Sequence, residues 1–221
     1  MGEALETLSE EGFQFFGKVT ASVTHEIKNA LAVIRENAGL MEDLISMGER
    51  KGGLDPARIQ ALAGKIGKQA MKADGIVQNM NRFAHSMDEP VAELDLGDTL
   101  RLLAALSGRI AAMHGVVFET RVPDAPVRLK TNPFFMETLL WGCLEFAMVA
   151  AGPEKRLALV LEEVETGARI RVTGVRVAEE VEGPEFPPER HNDLHRVLGA
   201  EVRLAPSRDE IIIELPKVAC L

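Results

Sequence analysis

The sequence predicts an α + α/β chain: an N-terminal helical hairpin that pairs with a second copy into a four-helix bundle, followed by an α/β sandwich. Two observations carry this. Apolar residues step by threes and fours through two long stretches separated by a Gly/Pro turn, and after Pro90 the pattern changes to short β-type runs interleaved with helical ones. The first stretch covers residues 13–47, with Phe16, Val19, Val23, Ile27, Ala30, Ile34, Met41 and Leu44 on one face. It fades at Gly48. Gly52-Gly53-Leu54-Asp55-Pro56 then reads as a hairpin turn, with Asp55 as the cap and Pro56 in the first turn of the next helix.

The second stripe, Ile59, Leu62, Ile66, Ala70, Ala73, Ile76, Met80 and Phe83, runs back along the first. Gly64, Gly67 and Gly75 each weaken it by about 1 kcal/mol relative to alanine, so this helix depends on packing. A lone hairpin leaves both stripes half exposed, and a homodimeric bundle is the simplest way to bury them. Asn37 falls on the seam, where a polar residue can set register or simply lie at the bundle edge. Met87-Asp88-Glu89-Pro90 ends the hairpin, which divides the chain into residues 1–88 and 89–221.

Beyond the linker the spacing predicts a helix over 99–113, strands over 116–122 and 127–130, and a buried helix over 133–151. Strands over 157–163 and 168–173, a short helix over 193–198, and strands over 201–204 and 210–215 complete the pattern.

Composition limits the function. The 221 residues carry a formal charge of −9 and no basic arm, which argues against nucleic acid or an anionic membrane as the main partner. Two cysteines, Cys143 and Cys220, make neither a disulfide framework nor a metal signature and fit a reducing cytosol. No apolar run is long enough to span a bilayer and the first residues are acidic, so the expectation is a soluble cytoplasmic protein, with input to it coming from another protein. His191 and His195 are spaced i,i+4 but lack a third ligand, and no P-loop, dinucleotide or Gly-x-Ser-x-Gly fingerprint occurs.

The informative stretch is Thr24-His25-Glu26-Ile27-Lys28-Asn29. His25 lies two residues from both Val23 and Ile27, roughly 200° around the helix axis from each, so its imidazole projects away from the stripe. A surface histidine beside a glutamate is ordinary on its own. The run His-Glu-Ile-Lys-Asn, however, resembles the H-box of the dimerisation and phosphotransfer domain of two-component histidine kinases. The resemblance implies that His25 accepts a phosphoryl group on a ring nitrogen and that Glu26 orients the imidazole. It also places Asn29 one turn away on the same face, where it can position a water for dephosphorylation of a receiver domain. Lys28, Leu31, Ala32 and Arg35, with the facing part of the second helix, would form the docking surface for response-regulator receivers.

The order of elements after residue 89 likewise resembles the ATP-binding domain of that family, but the nucleotide-binding signatures are missing. Gly142 and Phe146 stand where two asparagines would hold Mg²⁺ and phosphates, and neither offers an oxygen ligand; Glu145 is one position off that face and reads as a surface charge. Val172-Thr173-Gly174-Val175 has no acid for the adenine amine, and the segment 179–188 is acidic where the family has a glycine-rich lid. An intact phosphoacceptor helix beside a degenerate nucleotide domain resembles the stand-alone histidine phosphotransferases of bacterial phosphorelays. That implies transfer between receiver aspartates through His25 without ATP, with no cofactor of its own and with Mg²⁺ supplied by the receiver. Two other readings stay open: a divergent histidine kinase that still binds ATP, and a non-catalytic regulator that sequesters a response regulator.

Overall fold

A computed structural model describes residues 2–51, 53, 55–176, 186, 192–205 and 208–218, with side chains from Leu8 onward. The chain forms α1 (Gly2–Lys51), α2 (Pro56–His85), β1 (Ala92–Asp95), α3 (Leu96–Met113), β2 (Val117–Arg121) and β3 (Arg128–Thr131). It continues with α4 (Pro133–Val149), β4 (Arg156–Val164), β5 (Gly167–Thr173), α5 (Asn192–Leu198), β6 (Glu201–Ala205) and β7 (Glu210–Pro216). The architecture is α+β with a mixed sheet. No described helix is long and apolar enough to cross a membrane.

Packing divides the chain into two compact units, Thr20–Arg82 and a second made of Met1–Val19 with Phe83–Leu221. The linker composition at residues 88–89 marks where the helical grammar stops. The contacts follow a different line, because the first turns of α1 and the last residues of α2 pack with the α/β elements.

In the helical unit, Asp55 caps α2 by accepting from the backbone of Ala57 at 3.1 Å and Arg58 at 3.2 Å, as the Asp-Pro pair predicts. Gly52 and Leu54 of the expected turn lie outside the described residues. The apolar stripes are only partly covered: of their members within this unit, Val23, Ala30 and Leu62 are buried, while Ile27, Ile34, Met41, Ile59, Ile66 and Ile76 are half-buried. Ala70, expected on the second stripe, is exposed, and Gln69 takes the inward place. The heptad step from Ile66 to Ala73 passes through position 69, so apolarity alone misplaced that residue by one. Asn37 is buried on the seam, and its Nδ2 donates to Val33 O at 2.7 Å, one turn back in its own helix.

The other unit is built on a five-stranded sheet of order β2-β4-β5-β7-β6, parallel between β2 and β4 and antiparallel elsewhere. Its inner face presents Leu157, Leu159, Ile170, Val172, Ile211 and Ile213, all buried, and the buried leucines of α3 and α4 complete the core. The outer face is held by cross-strand ion pairs. Arg171 bridges Glu162 at 2.6 Å and Glu210 at 3.1 Å, and Arg169 pairs with Glu214 at 3.0 Å.

Both long helices of this unit have legible starts. Asp95 accepts from Gly97 N at 2.8 Å and Asp98 N at 3.3 Å to cap α3. Asn132 accepts from Phe135 N at 2.8 Å to cap α4, with Pro133 at its first position. The Asn132 Nδ2 also donates to Pro90 O at 2.9 Å, tying the linker to the start of α4. β1 is an element that sequence reading missed. Ala92-Glu93-Leu94-Asp95 has no β-branched residue, and its extended form comes from antiparallel pairing with β3.

Candidate functional site

His25 sits in the uninterrupted α1 and its side chain is exposed, as its offset from the apolar stripe predicts. Asn29, one turn on, brings its Nδ2 to 3.1 Å from His25 Nδ1. A carboxamide offers either its nitrogen or its oxygen to a ring nitrogen, and the choice fixes the imidazole tautomer. With the oxygen turned to Nδ1, that nitrogen carries the proton and the lone pair on Nε2 faces solvent. Glu26 is half-buried and makes no hydrogen bond or ion pair with the ring. The group found against Nδ1 is therefore Asn29, whereas the resemblance assigns the orienting role to Glu26.

Lys28, Leu31, Ala32 and Arg35 are all exposed and follow His25 along the same helix. Leu31 keeps 55% of its surface in solvent. Val33, Leu40 and Met47 form a second exposed apolar line at exact heptad spacing, and Leu31 and Ile45 lie on a third.

In the α/β unit, the positions the resemblance gives to Mg²⁺ and nucleotide are engaged by the chain itself. Gly142 is buried. Glu145, expected as a surface charge, is ion-paired to Lys18 of α1. One turn away, Trp141 stacks on Phe15 with ring centroids 5.1 Å apart. Phe146 packs against Phe186 at 4.4 Å between centroids. Phe15 also meets Phe83 edge-on at 4.9 Å, so the first turns of α1 and the last of α2 share one aromatic cluster with α4. Gly12 belongs to the same contact: a Cβ there would lie 2.7 Å from Phe134 Cε1.

At the end of β5, Gly174 has φ +90° and its carbonyl accepts from Gly152 N at 3.0 Å, with no carboxylate at that position. Apart from Phe186, the acidic segment 179–188 lies outside the described residues, as do His191 and Cys220. His195 is half-buried, and burial holds its pKa below the ordinary histidine value. Among the described residues no group of three His, Cys, Asp or Glu side chains could hold a metal ion. Cys143 is buried and its thiol is pushed up to about 12 by desolvation, which makes it a core residue rather than a nucleophile.

No family model matches this sequence, and no curated protein matches it either. Solved structures similar in fold include the catalytic domain of the histidine kinase ThkA. That likeness has TM-score 0.49 and 15% identity, and it covers 59% of this chain and 99% of the other. A structure described as a bacterial phosphotransferase gives TM-score 0.48 and 19% identity over 89% of this chain and 93% of the other. ThkA in complex with the response regulator TrrA gives TM-score 0.44 and 18% identity over 94% of this chain and 64% of the other. At these scores and identities the likenesses carry no functional argument.

Proposed function

We propose that this chain is a phosphorelay histidine phosphotransferase. In this reading it works as a homodimer, takes a phosphoryl group from the aspartate of one response-regulator receiver onto His25, and passes it to another. The observation that carries the proposal is the solvent-facing imidazole of His25, with Asn29 against Nδ1 and Nε2 left open, at the head of the exposed strip Lys28, Leu31, Ala32 and Arg35. In the transfer step the Nε2 lone pair attacks phosphorus in line. The N–P bond forms as the acyl phosphate P–O bond breaks, and the receiver carboxylate leaves with the electron pair. Asn29 Nδ2 is the atom beside Nδ1, so attack through Nε2 requires the carboxamide to turn and present its oxygen to Nδ1–H. The Mg²⁺ and the cation that neutralise the phosphoryl oxygens come from the receiver.

The homodimer is supported by the hairpin's own surface. Most of its stripe is half-buried, and Val33, Leu40 and Met47 remain exposed beside it. A helix carrying apolar residues on both flanks of its seam fits a four-helix bundle better than a two-helix hairpin. Lack of ATP use is supported by α4, where Gly142 and Phe146 supply no ligand oxygen and Lys18 and Phe186 lie against the surrounding positions. A divergent kinase would need that face of α4 open. Incubation with receivers phosphorylated on aspartate, following radiolabel onto the chain, tests the proposal; no label on wild-type protein with every receiver of the same genome contradicts it.

A further inference from the structure

We propose that the turn after α4, the end of β5 and Asp209, just before β7, form a binding site for a small hydroxylated phosphate ester, of the sugar phosphate class. The site uses neither His25 nor Gly142 and Phe146 of α4, and it shares Gly174 with the stretch that lacks the adenine-reading acid. The three segments enclose a cavity of about 320 Å³, at the small end of the range for ligand sites, lined by Glu154, Lys155, Arg156, Gly174, Arg176 and Asp209 among others.

Its frame is fixed by backbone hydrogen bonds between segments far apart in sequence. Gly174 N and Val175 N both donate to Asp209 O at 3.0 Å, Gly152 N donates to Gly174 O at 3.0 Å, and Arg176 N donates to Ala150 O at 2.8 Å. Ala150 O is thus occupied, and Lys155 Nζ donates to Ala151 O at 3.4 Å. Gly174 permits the closest approach, since a Cβ there would lie 2.2 Å from Arg156 O.

Two further features mark the cavity. Lys155 and Asp209, at φ +51° and +53°, are the non-glycine residues with left-handed backbones among the described residues, and both line it. That conformation costs on the order of 1 kcal/mol for an ordinary side chain and persists where surrounding structure enforces it. The charges are also left apart: three cations and two carboxylates line one cavity, yet no ion pair joins any of the five among the described residues. The charge of Arg156 also acts on Glu119 of the neighbouring strand β2, and the guanidinium groups of Arg156 and Arg176 suit a phosphate, which such groups bind in bidentate fashion. The carboxylates of Glu154 and Asp209 accept from hydroxyl groups, so a ligand with both functions satisfies cations and anions together. A bare phosphate meets only the cations and is repelled by the acids.

The test is calorimetric titration of the full chain, at constant ionic strength, with ribose 5-phosphate and with inorganic phosphate. Wild-type protein should bind ribose 5-phosphate saturably and more tightly than phosphate. Arg156→Gln with Arg176→Gln should weaken it by about tenfold or more, the loss expected for a charge-assisted contact, and Arg176→Gln alone should give part of that loss. All of these side chains are exposed, so the variants should melt with the wild type. Absence of saturable ribose 5-phosphate binding, equal affinity for the two ligands, or binding unchanged by Arg176→Gln would each overturn the assignment.

Discussion

Phe15 of α1 lies against Trp141 of α4, ring centroids 5.1 Å apart and planes 26° from parallel, and it is almost completely buried. This contact, with the neighbouring Lys18–Glu145 pair, makes the start of α1 part of the α/β unit. Phe15→Ala should therefore destabilise that unit by about 3–5 kcal/mol, the range for a fully buried aromatic, read as a lower denaturant midpoint. Phe16→Ala, at a half-buried position, should cost much less. Equal costs would contradict the described packing.

Dimerisation should be lost when the exposed heptad line is charged. Light scattering of the wild type should give twice the chain mass, and Leu40→Glu should shift it toward one chain with helical content retained, because Leu40 is already exposed within a single hairpin. Ile34→Asp should both dissociate and destabilise, since Ile34 is half-buried within the hairpin itself. A monomeric wild type at micromolar concentration would sink the bundle.

Mg-ATP should give a flat calorimetric trace. Removing the ion pair with Lys18→Ala should not create binding, because Gly142 and Phe146 still offer no oxygen to the metal. Labelling of the chain by radioactive ATP alone would favour the divergent kinase.

Cys143 predicts an alkaline weakness. Its pKa rises from 9.0 to about 12 in the folded chain, so above pH 9 the unfolded thiol loses its proton while the native one keeps it. The stability linked to this group is whole below the unfolded pKa and is lost as pH rises toward the folded one, by about 1.4 kcal/mol per unit across that window. Cys143→Ala should flatten that part of the stability profile, and an unchanged slope would contradict the burial.

Much of the fold was legible because it is local. The Asp55-Pro56 and Asn132-Pro133 starts, the stripe through Val23, Ala30 and Leu62, and the strands around Ile170 and Ile211 each carry their signal within a few residues. What was not legible depends on distant partners. β1 exists because β3 pairs with it, and Glu145 meets Lys18 across 127 residues. Phe83 touches both Phe15 and Phe16, and Phe15 is the more buried because Phe134 and Trp141 of α4 also pack on it, partners that lie far off in sequence. At the site, the exposure of His25 followed from helical spacing. The partner at its Nδ1 did not: Asn29 and Glu26 both neighbour the ring in sequence terms, and only the i,i+4 geometry selects Asn29.

Asn29 should accordingly have two separable effects. Asn29→Ala frees the tautomer and should slow transfer to His25 several-fold without abolishing it. If Asn29 also places a water against the receiver's phosphoaspartate, the same change should lengthen receiver phosphate lifetime in a His25→Ala background, where transfer cannot contribute. Unchanged lifetime there confines Asn29 to orienting the imidazole.

Phosphoryl transfer to His25 is measured by mixing the purified chain with a receiver carrying ³²P on its aspartate and following label by gel, with His25→Ala in parallel. Label on the wild type should be acid-labile and base-stable, as for a phosphoramidate. None should appear on His25→Ala, whose dimer and melting temperature should match the wild type because the side chain is exposed. Label retained by His25→Ala would rule out His25 as the phosphoacceptor.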